Sequence, residues 1–507
     1  MRLFAQWMAL FVFLGFSTFA QAQYVPLVPA RLLDTRPAGT TIDSQFAPAS
    51  VVASKATLNL TVTGRDGIPS DAKAVALNVT VTDPTAAAGF LTVWPTGSVL
   101  PTASTLNFVS GKSISNLVVA KIGTNGQVSF YNGSPGTLNV VADVTGYFVS
   151  SSDFIALTPA RLLDTRAGRL TVDGQFQGAG PLGLHVSLDL QALNRGGVPA
   201  GSVSAVVLNV TVTGPTAATF VTAWPTGNTR PLTSNLNAVA GQTVANAVVV
   251  GIGTGGSISL YNNQGSSDLV VDVLGYFPTS NDYTALQPTR LIDTRSGTAT
   301  TDNQYAGIGA LGSNASLNMN VLGRGGVPAA GVAAIALNLT AVSPTLNGYL
   351  TAWGTATTNA ANAPPLAMAV NYGTGDLIPS LVFVPVGANG QISIYNSAGA
   401  TQVVADVVGW IALRPVIASF NPTSGPAGTV VTISGANFTP SSLVNFNGTN
   451  AHIEAVSSTS LTVTVQPGTS TGAIAVTSAG STTHSATPFT VKPDSSSLIT
   501  PICKASL

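Results

Sequence analysis

The sequence predicts an all-β chain of tandem antiparallel β-sandwich domains, and three observations predict it. The charged residues that helices use heavily are scarce: Asp, Glu, Lys and Arg make up 7% of the chain, with one Glu, Glu454, and six Lys. Val, Thr, Gly, Asn and Ser are abundant, which suits strands and turns. Stretches such as Leu77-Asn-Val-Thr-Val-Thr82 alternate apolar and polar residues, the period of a strand with one buried and one polar face.

The elements follow in chain order. Residues 1–22 read as a secretory signal peptide, with Arg2 as its positive start, an apolar run from Trp7 to Phe16 and an Ala20-Gln21-Ala22 cleavage box. The apolar run is short for a membrane span, and no later segment has 18 consecutive apolar residues. The expectation is an exported chain, secreted or at a cell surface, with no membrane span after cleavage. Cys503 is the only cysteine of 507 residues, so the domains do not rely on disulfides.

A block of about 130 residues then occurs three times. Pro29-Ala-Arg-Leu-Leu-Asp-Thr-Arg36 returns at Pro159–Arg166 and, as PTRLIDTR, at Pro288–Arg295. GRDGIP at Gly64 returns at Asn194 and Gly323, LNVTVTDPT at Leu77 returns at Leu208 and Leu337, and each copy closes on ADVTGYF, VDVLGYF or ADVVGWI. The domains read as repeat 1 (23–150), repeat 2 (151–280) and repeat 3 (281–413). The period is too long for a propeller blade and is the size of a whole domain, so the copies read as beads on a string. Eight or so short strands per copy suggest a jelly-roll-like sandwich. A β-trefoil is the runner-up.

Residues 414–491 have a different pattern. Ile417-Ala-Ser-Phe-Asn-Pro-Thr-Ser-Gly-Pro-Ala-Gly-Thr-Val-Val-Thr-Ile-Ser-Gly-Ala-Asn-Phe438, Val444-Asn-Phe-Asn-Gly448 and Pro488-Phe-Thr-Val491 resemble the IPT/TIG domain. That resemblance implies an immunoglobulin-like sandwich used as a spacer or binding module. The three repeats resemble RLLDTR-type repeats of secreted bacterial surface proteins, which implies location more than activity. The tail, 492–507, is Ser-rich and reads as disordered.

Charges are few, so their placement is informative. Nine of the thirteen arginines recur: Arg31, Arg36 and Arg65; Arg161, Arg166 and Arg195; Arg290, Arg295 and Arg324. Nine aspartates recur with them: Asp34, Asp43 and Asp143; Asp164, Asp173 and Asp272; Asp293, Asp302 and Asp406. Arg pairs bidentately with carboxylates, so the expected role is a structural network tying the first strand to the last strand and to the GRxG turn. An anionic-ligand or Ca²⁺ site is the alternative. Asn78, Asn209 and Asn338 recur, as do Asn107, Asn237 and Asn371; Asn116 and Asn246 give way to Ser380 in the third copy.

In Phe90-Leu-Thr-Val-Trp94, alternation puts Phe90, Thr92 and Trp94 on one face. Trp94, Trp224 and Trp353 are therefore either core anchors or sugar-stacking platforms. Tyr131, Tyr261 and Tyr395 are weaker ligand candidates.

The balance of 19 Lys+Arg against 19 Asp+Glu leaves no electrostatic footprint for nucleic acid. His185, His452 and His484 do not recur and lack metal-ligand spacing. No catalytic motif is recognisable, and no metal or cofactor is implied. The reading is a non-catalytic surface adhesion or scaffold protein whose partner is a polysaccharide or another surface protein. A carbohydrate-binding protein is the alternative, and an extracellular hydrolase a weaker one.

Overall fold

A computed structural model describes residues 24–149, 154–279, 282–355, 363–387, 389–478 and 480–493. The expected signal peptide, Cys503 and all of the expected tail but Lys492 and Pro493 lie outside the described residues.

The first repeat contains eight strands: β1 (Tyr24–Asp34), β2 (Thr57–Thr61), β3 (Ala74–Thr82), β4 (Ala88–Pro95), β5 (Leu106–Val109), β6 (Ile114–Lys121), β7 (Gln127–Asn132) and β8 (Asn139–Phe148). They form two four-stranded antiparallel sheets, ordered β1-β8-β3-β6 and β2-β7-β4-β5. Strand 1 thus pairs with 8, 2 with 7, 3 with 6 and 4 with 5, as in one long hairpin rolled onto two sheets. This is an eight-stranded jelly roll. The second and third repeats repeat the order strand for strand. Strands pair across the whole length of each copy and show no threefold division inside it, so the β-trefoil alternative does not hold.

The alternation in β3 explains its position. Val75, Leu77, Val79 and Val81 point into the sandwich, where they meet Leu91, Val93, Val128 and Phe130 of the other sheet. The opposite face, Ala74, Ala76, Asn78, Thr80 and Thr82, is also buried. The polar face expected at the surface is covered by another repeat.

The repeats are not beads on a string. Ala74, Ala76, Leu117 and Val119 of the first repeat, Ala205, Val207, Ala247 and Val249 of the second, and Ala334, Ala336, Leu381 and Phe383 of the third share one hydrophobic core. The three β1-β8-β3-β6-type sheets therefore face one another, and the three β2-β7-β4-β5-type sheets lie outside. An aromatic belt crosses the core: Phe383 to Tyr24 (ring centroids 5.3 Å apart), Tyr24 to Phe148 (5.0 Å), Phe148 to Phe154 (4.8 Å), Phe154 to Phe277 (5.0 Å) and Phe277 to Tyr283 (4.2 Å). The belt dictates the recurring glycine of the closing motif. A Cβ on Gly146, Gly275 or Gly409 would collide with the ring of Tyr24, Phe154 or Tyr283. Each inner sheet is thus apolar on both faces near its centre, because both faces are cores.

The C-terminal segment is a separate sandwich with its own core, including Phe420, Ile433, Phe446, Leu461 and Phe489. One sheet has four strands and the other five. Arg414 pairs with Asp282 of the third repeat at 2.7 Å, and Ser481 of the sandwich donates to the same carboxylate. That clamp fixes the sandwich against the third jelly roll.

Candidate functional site

The recurring charges build two devices in each repeat. In the first, β1 and β8 put Arg31 directly opposite Asp143, and β3 puts Asn78 opposite Asp143 on the other side. Arg31 donates to Asp143 through Nε (2.8 Å) and Nη2 (3.3 Å), and to Asp34 through Nη1 (3.3 Å). Arg36 closes on Asp34 with two bonds, 2.9 and 2.6 Å. Arg161, Asp164, Arg166 and Asp272 repeat this arrangement, as do Arg290, Asp293, Arg295 and Asp406.

Burial sets the protonation behaviour of these groups. Burial pushes Asp143, Asp272 and Asp406 up, more than their arginines pull them down. At Asp34, Asp164 and Asp293 burial is outweighed by the bond and charge of Arg36, Arg166 or Arg295, and the carboxyls sit below the ordinary range.

The second device serves a β-bulge. The β1–β8 register shifts between Arg31 and Leu33, which leaves Leu32 out of the ladder. A freed buried carbonyl needs a donor. Arg65 Nη2 donates to Leu32 O at 2.9 Å, and Arg195 and Arg324 do the same for Leu162 and Leu291. The same guanidiniums hold Asp43, Asp173 and Asp302 with two bonds each, and this pairing lowers those carboxyls to about 2. The guanidiniums also lie over Phe46, Phe176 and Tyr305 at about 5 Å. Every recurring carboxylate is therefore bonded to a guanidinium. Among the described residues, no group of three His, Cys, Asp or Glu side chains is placed to hold a metal.

Six of the recurring asparagines, Asn78, Asn116, Asn209, Asn246, Asn338 and Asn371, make the seams between repeats; their bonds to loop backbone are as the sequence suggests, but that three of those loops belong to a neighbouring repeat is not legible in it. At the first seam, Asn116 Nδ2 donates to Asn209 Oδ1 (2.9 Å), Asn209 Nδ2 donates to Ser104 O (2.7 Å), and Asn116 Oδ1 accepts from Ala247 N (2.8 Å). Asn246, Asn338, Ser234 and Leu381 repeat the pattern at the second seam. The third seam closes the ring with a variant. Asn78 still donates to Met368 O, but Ser380 stands where Asn116 and Asn246 stand elsewhere, and Asn78 Oδ1 is buried without a partner. Other bonds join these two repeats: Asn371 Nδ2 to Thr80 Oγ1 (3.1 Å), Met368 N to Asp143 Oδ2 (2.9 Å) and Lys112 to Asp376 (3.1 Å).

The tryptophans are not stacking platforms. Trp94, Trp224 and Trp353 are 6%, 6% and 4% exposed. They lie on the sheet face turned away from the sandwich core, yet in the first two repeats the loop after the strand folds back over the ring. Thr92 Oγ1 donates to Ala103 O and Trp94 Nε1 to Ser98 O, and Thr222 and Trp224 do the same with Thr233 and Asn228.

The tyrosines on the adjoining strand lie on the outer sheet face, where Tyr131 and Tyr395 are half-buried and Tyr261 is buried, at 7% exposure. Tyr131 pairs with Phe90 (6.4 Å), Tyr261 with Phe220 (6.2 Å) and Tyr395 with Tyr349 (6.4 Å). Beside each runs a row of polar side chains: Thr96, Ser129 and Asn59; Thr226, Ser259 and Asp189; Thr355, Ser393 and Asn318. Each repeat thus carries on this face an aromatic pair with an exposed amide or carboxylate nearby (Asn59, Asp189 or Asn318), while Ser129, Ser259 and Ser393 are buried. A cleft of about 700 Å³ lies at the first seam, and one of about 540 Å³ between the third repeat and the C-terminal sandwich. His185, His452 and His484 are all exposed.

Two solved chains resemble this one at low identity. One is from "The Triple Jelly Roll Fold and Turret Assembly in an Archaeal Virus", at 10% identity over 77% of this chain and 92% of that one, with a TM-score of 0.19. The other is from "Life in the extremes: atomic structure of Sulfolobus Turreted Icosahedral Virus", at 9% identity over 78% and 91%, with a TM-score of 0.18. No curated protein matches the chain. Residues 415–491 match the model of the IPT/TIG domain, so the C-terminal sandwich is an IPT/TIG domain.

Proposed function

We propose that this chain is an exported, non-catalytic adhesion or scaffold protein of a cell surface. Its head is a ring of three jelly rolls, and an IPT/TIG module is clamped to the third. The observation that carries this reading is how the polar residues are used. The recurring arginines and aspartates are bonded to one another, six of the recurring asparagines stitch the seams, and the inner sheets form a shared core. What remains outward is one repeated face per jelly roll, and three copies of a weak site give avidity.

The test is fractionation of cells making the full chain, followed by attachment of beads coated with the mature protein to whole cells and cell-wall material. Export with cleavage near Gln23 and saturable attachment are expected. A chain retained inside the cell with its N-terminus intact overturns the reading.

The outer faces favour a second reading, that the partner is a saccharide. Tyr131 and Tyr395 are half-buried and lie near the exposed amides of Asn59 and Asn318, a combination suited to sugars. A glycan array probed with the intact mature chain tests it. Binding is expected to fall on substituting all of Tyr131, Tyr261 and Tyr395, and silence across the array removes this reading.

A further inference from the structure

The charged and titratable residues that do not recur are few, and two of them meet. Arg230 is one of four arginines outside the recurring set, and His185 is one of three histidines. Both are exposed and both lie against Tyr261 of the second repeat. The Arg230 guanidinium sits 3.6 Å from the Tyr261 ring centroid, and the His185 ring stacks on Tyr261 at 6.3 Å with an interplanar angle of 15°. His185 has the left-handed backbone (φ 58°) that Lys55 (φ 59°) and Asn314 (φ 55°) share at the same turn. The Tyr261 hydroxyl bonds to Asn263.

We infer that this cluster binds an acidic saccharide through the carboxylate of a uronic-type sugar. The inference rests on the saccharide reading above and names the ligand class for one of the three faces.

Three features support it. Among the described residues, the Arg230 guanidinium has neither an ion-pair partner nor a hydrogen bond, although every guanidinium of the recurring set has both. A guanidinium seated over a ring face keeps edge donors available for a carboxylate. Second, the face offers an acceptor beside the donors. Asp189 stands where the first and third repeats have Asn59 and Asn318, and its carboxylate is exposed and takes one bond, from Ser259. A simple polyanion is repelled by that carboxylate, whereas a sugar acid places its carboxylate on Arg230 and donates a hydroxyl to Asp189. Third, Phe220, tilted against Tyr261, is also a wall of a cleft of about 490 Å³ that Asn263 lines with it, so a bay adjoins the platform. Lys112 on the cleft's far side is already paired with Asp376.

The other two repeats have lost this chemistry. In the first, Lys55 replaces His185 and spends its ammonium on Gly133 O, and Leu100 stands in place of Arg230. In the third, Asn314 replaces His185 and accepts from Tyr395.

The experiment measures binding of the intact mature chain by calorimetry to oligogalacturonide and alginate oligomers. Methyl-esterified oligogalacturonide, dextran and polyglutamate serve as comparisons. The two uronic-acid probes are expected to bind, and esterification to weaken binding at least tenfold. Arg230→Leu, which restores the first repeat's residue at an exposed position, is expected to weaken it at least tenfold with an unchanged melting temperature. Unchanged affinity of Arg230→Leu overturns the assignment, as does equal binding of polyglutamate. Equal binding of dextran overturns the acidic specificity and leaves the saccharide reading standing. No binding to any saccharide removes both.

Discussion

Three asparagines in equivalent positions have unequal surroundings. Asn209 and Asn338 each use both ends of the amide across a seam, while Asn78 uses only its Nδ2 because Ser380 is too short to reach its Oδ1. A buried donor stripped of its acceptor costs about 1–3 kcal/mol. Asn209→Ala and Asn338→Ala should therefore lower the melting temperature more than Asn78→Ala, since only the first two strand a partner amide. Equal losses at all three sites would contradict the seam geometry. Asp43, Asp173 and Asp302 give a pH prediction. Each is held at about 2 in the fold, below an ordinary 3.8. A depressed carboxyl contributes stability that is full above its unfolded value and lost as pH falls through its folded one. That window runs from about pH 4 down to about pH 2. The triple variant Asp43→Asn, Asp173→Asn, Asp302→Asn should melt lower at pH 6 and show a shallower further loss between pH 4 and 2. Asp143, Asp272 and Asp406 work in the opposite sense, because acid relieves the cost of their burial.

At the scale of the element, β1 shows how a local defect organises a strand. Its bulge at Leu32 releases a carbonyl that Arg65 captures from 33 residues away, and the same arginine then orders the loop at Asp43. Two residues further on, Asp34 has no exposed surface and accepts from Arg31 and from both ends of Arg36. Removing one partner from a buried charge cluster costs roughly 3–5 kcal/mol. Asp34→Ala should accordingly produce a large drop in thermal stability measured by calorimetry, and Arg36→Ala a smaller one, because Arg36 is about a third exposed. β3 makes a second point. It carries Val and Leu to the sandwich and Ala, Asn and Thr to the neighbouring repeat, so small side chains let the sheets approach and amides set their register.

For the whole molecule, the shared core decides what counts as a domain. A single jelly roll cut from the chain would expose Phe148, Leu117, Val119, Ala74 and Ala76, all buried here. The fragment 23–150 should self-associate or precipitate, while residues 23–413 should stay monodisperse in light scattering. Calorimetry of the full chain should show one transition for the three jelly rolls together and another for the IPT/TIG domain. Truncating a well-packed core phenylalanine costs about 3–5 kcal/mol. Phe148→Ala, at the centre of the aromatic belt, should lower the first transition and leave the second where it is. Three separate jelly-roll transitions would mean that the repeats do not share their core.

Much of this was determined by the sequence alone. Scarce helix formers and two-residue alternation specified strands, a 130-residue period specified three like domains, and recurring Arg and Asp marked the charge network that Arg31, Asp34 and Asp143 form. The motifs from Ile417 to Val491 marked the IPT/TIG domain. These signals are local or repeated, so they survive without knowledge of the packing. Tertiary structure alone decided what the second face of each strand touches. An Asn-Thr face reads the same whether it meets water or another sheet, so the burial of Asn78, Asn209 and Asn338 and the closure of the ring were not legible. The recurring glycine before each closing aromatic was a trace of that closure, but its reason is a ring from elsewhere in the chain. The tryptophans were ambiguous for the same physical cause: alternation fixes which side of a sheet a residue occupies, while the loop that covers that side is set by the three-dimensional path of the chain.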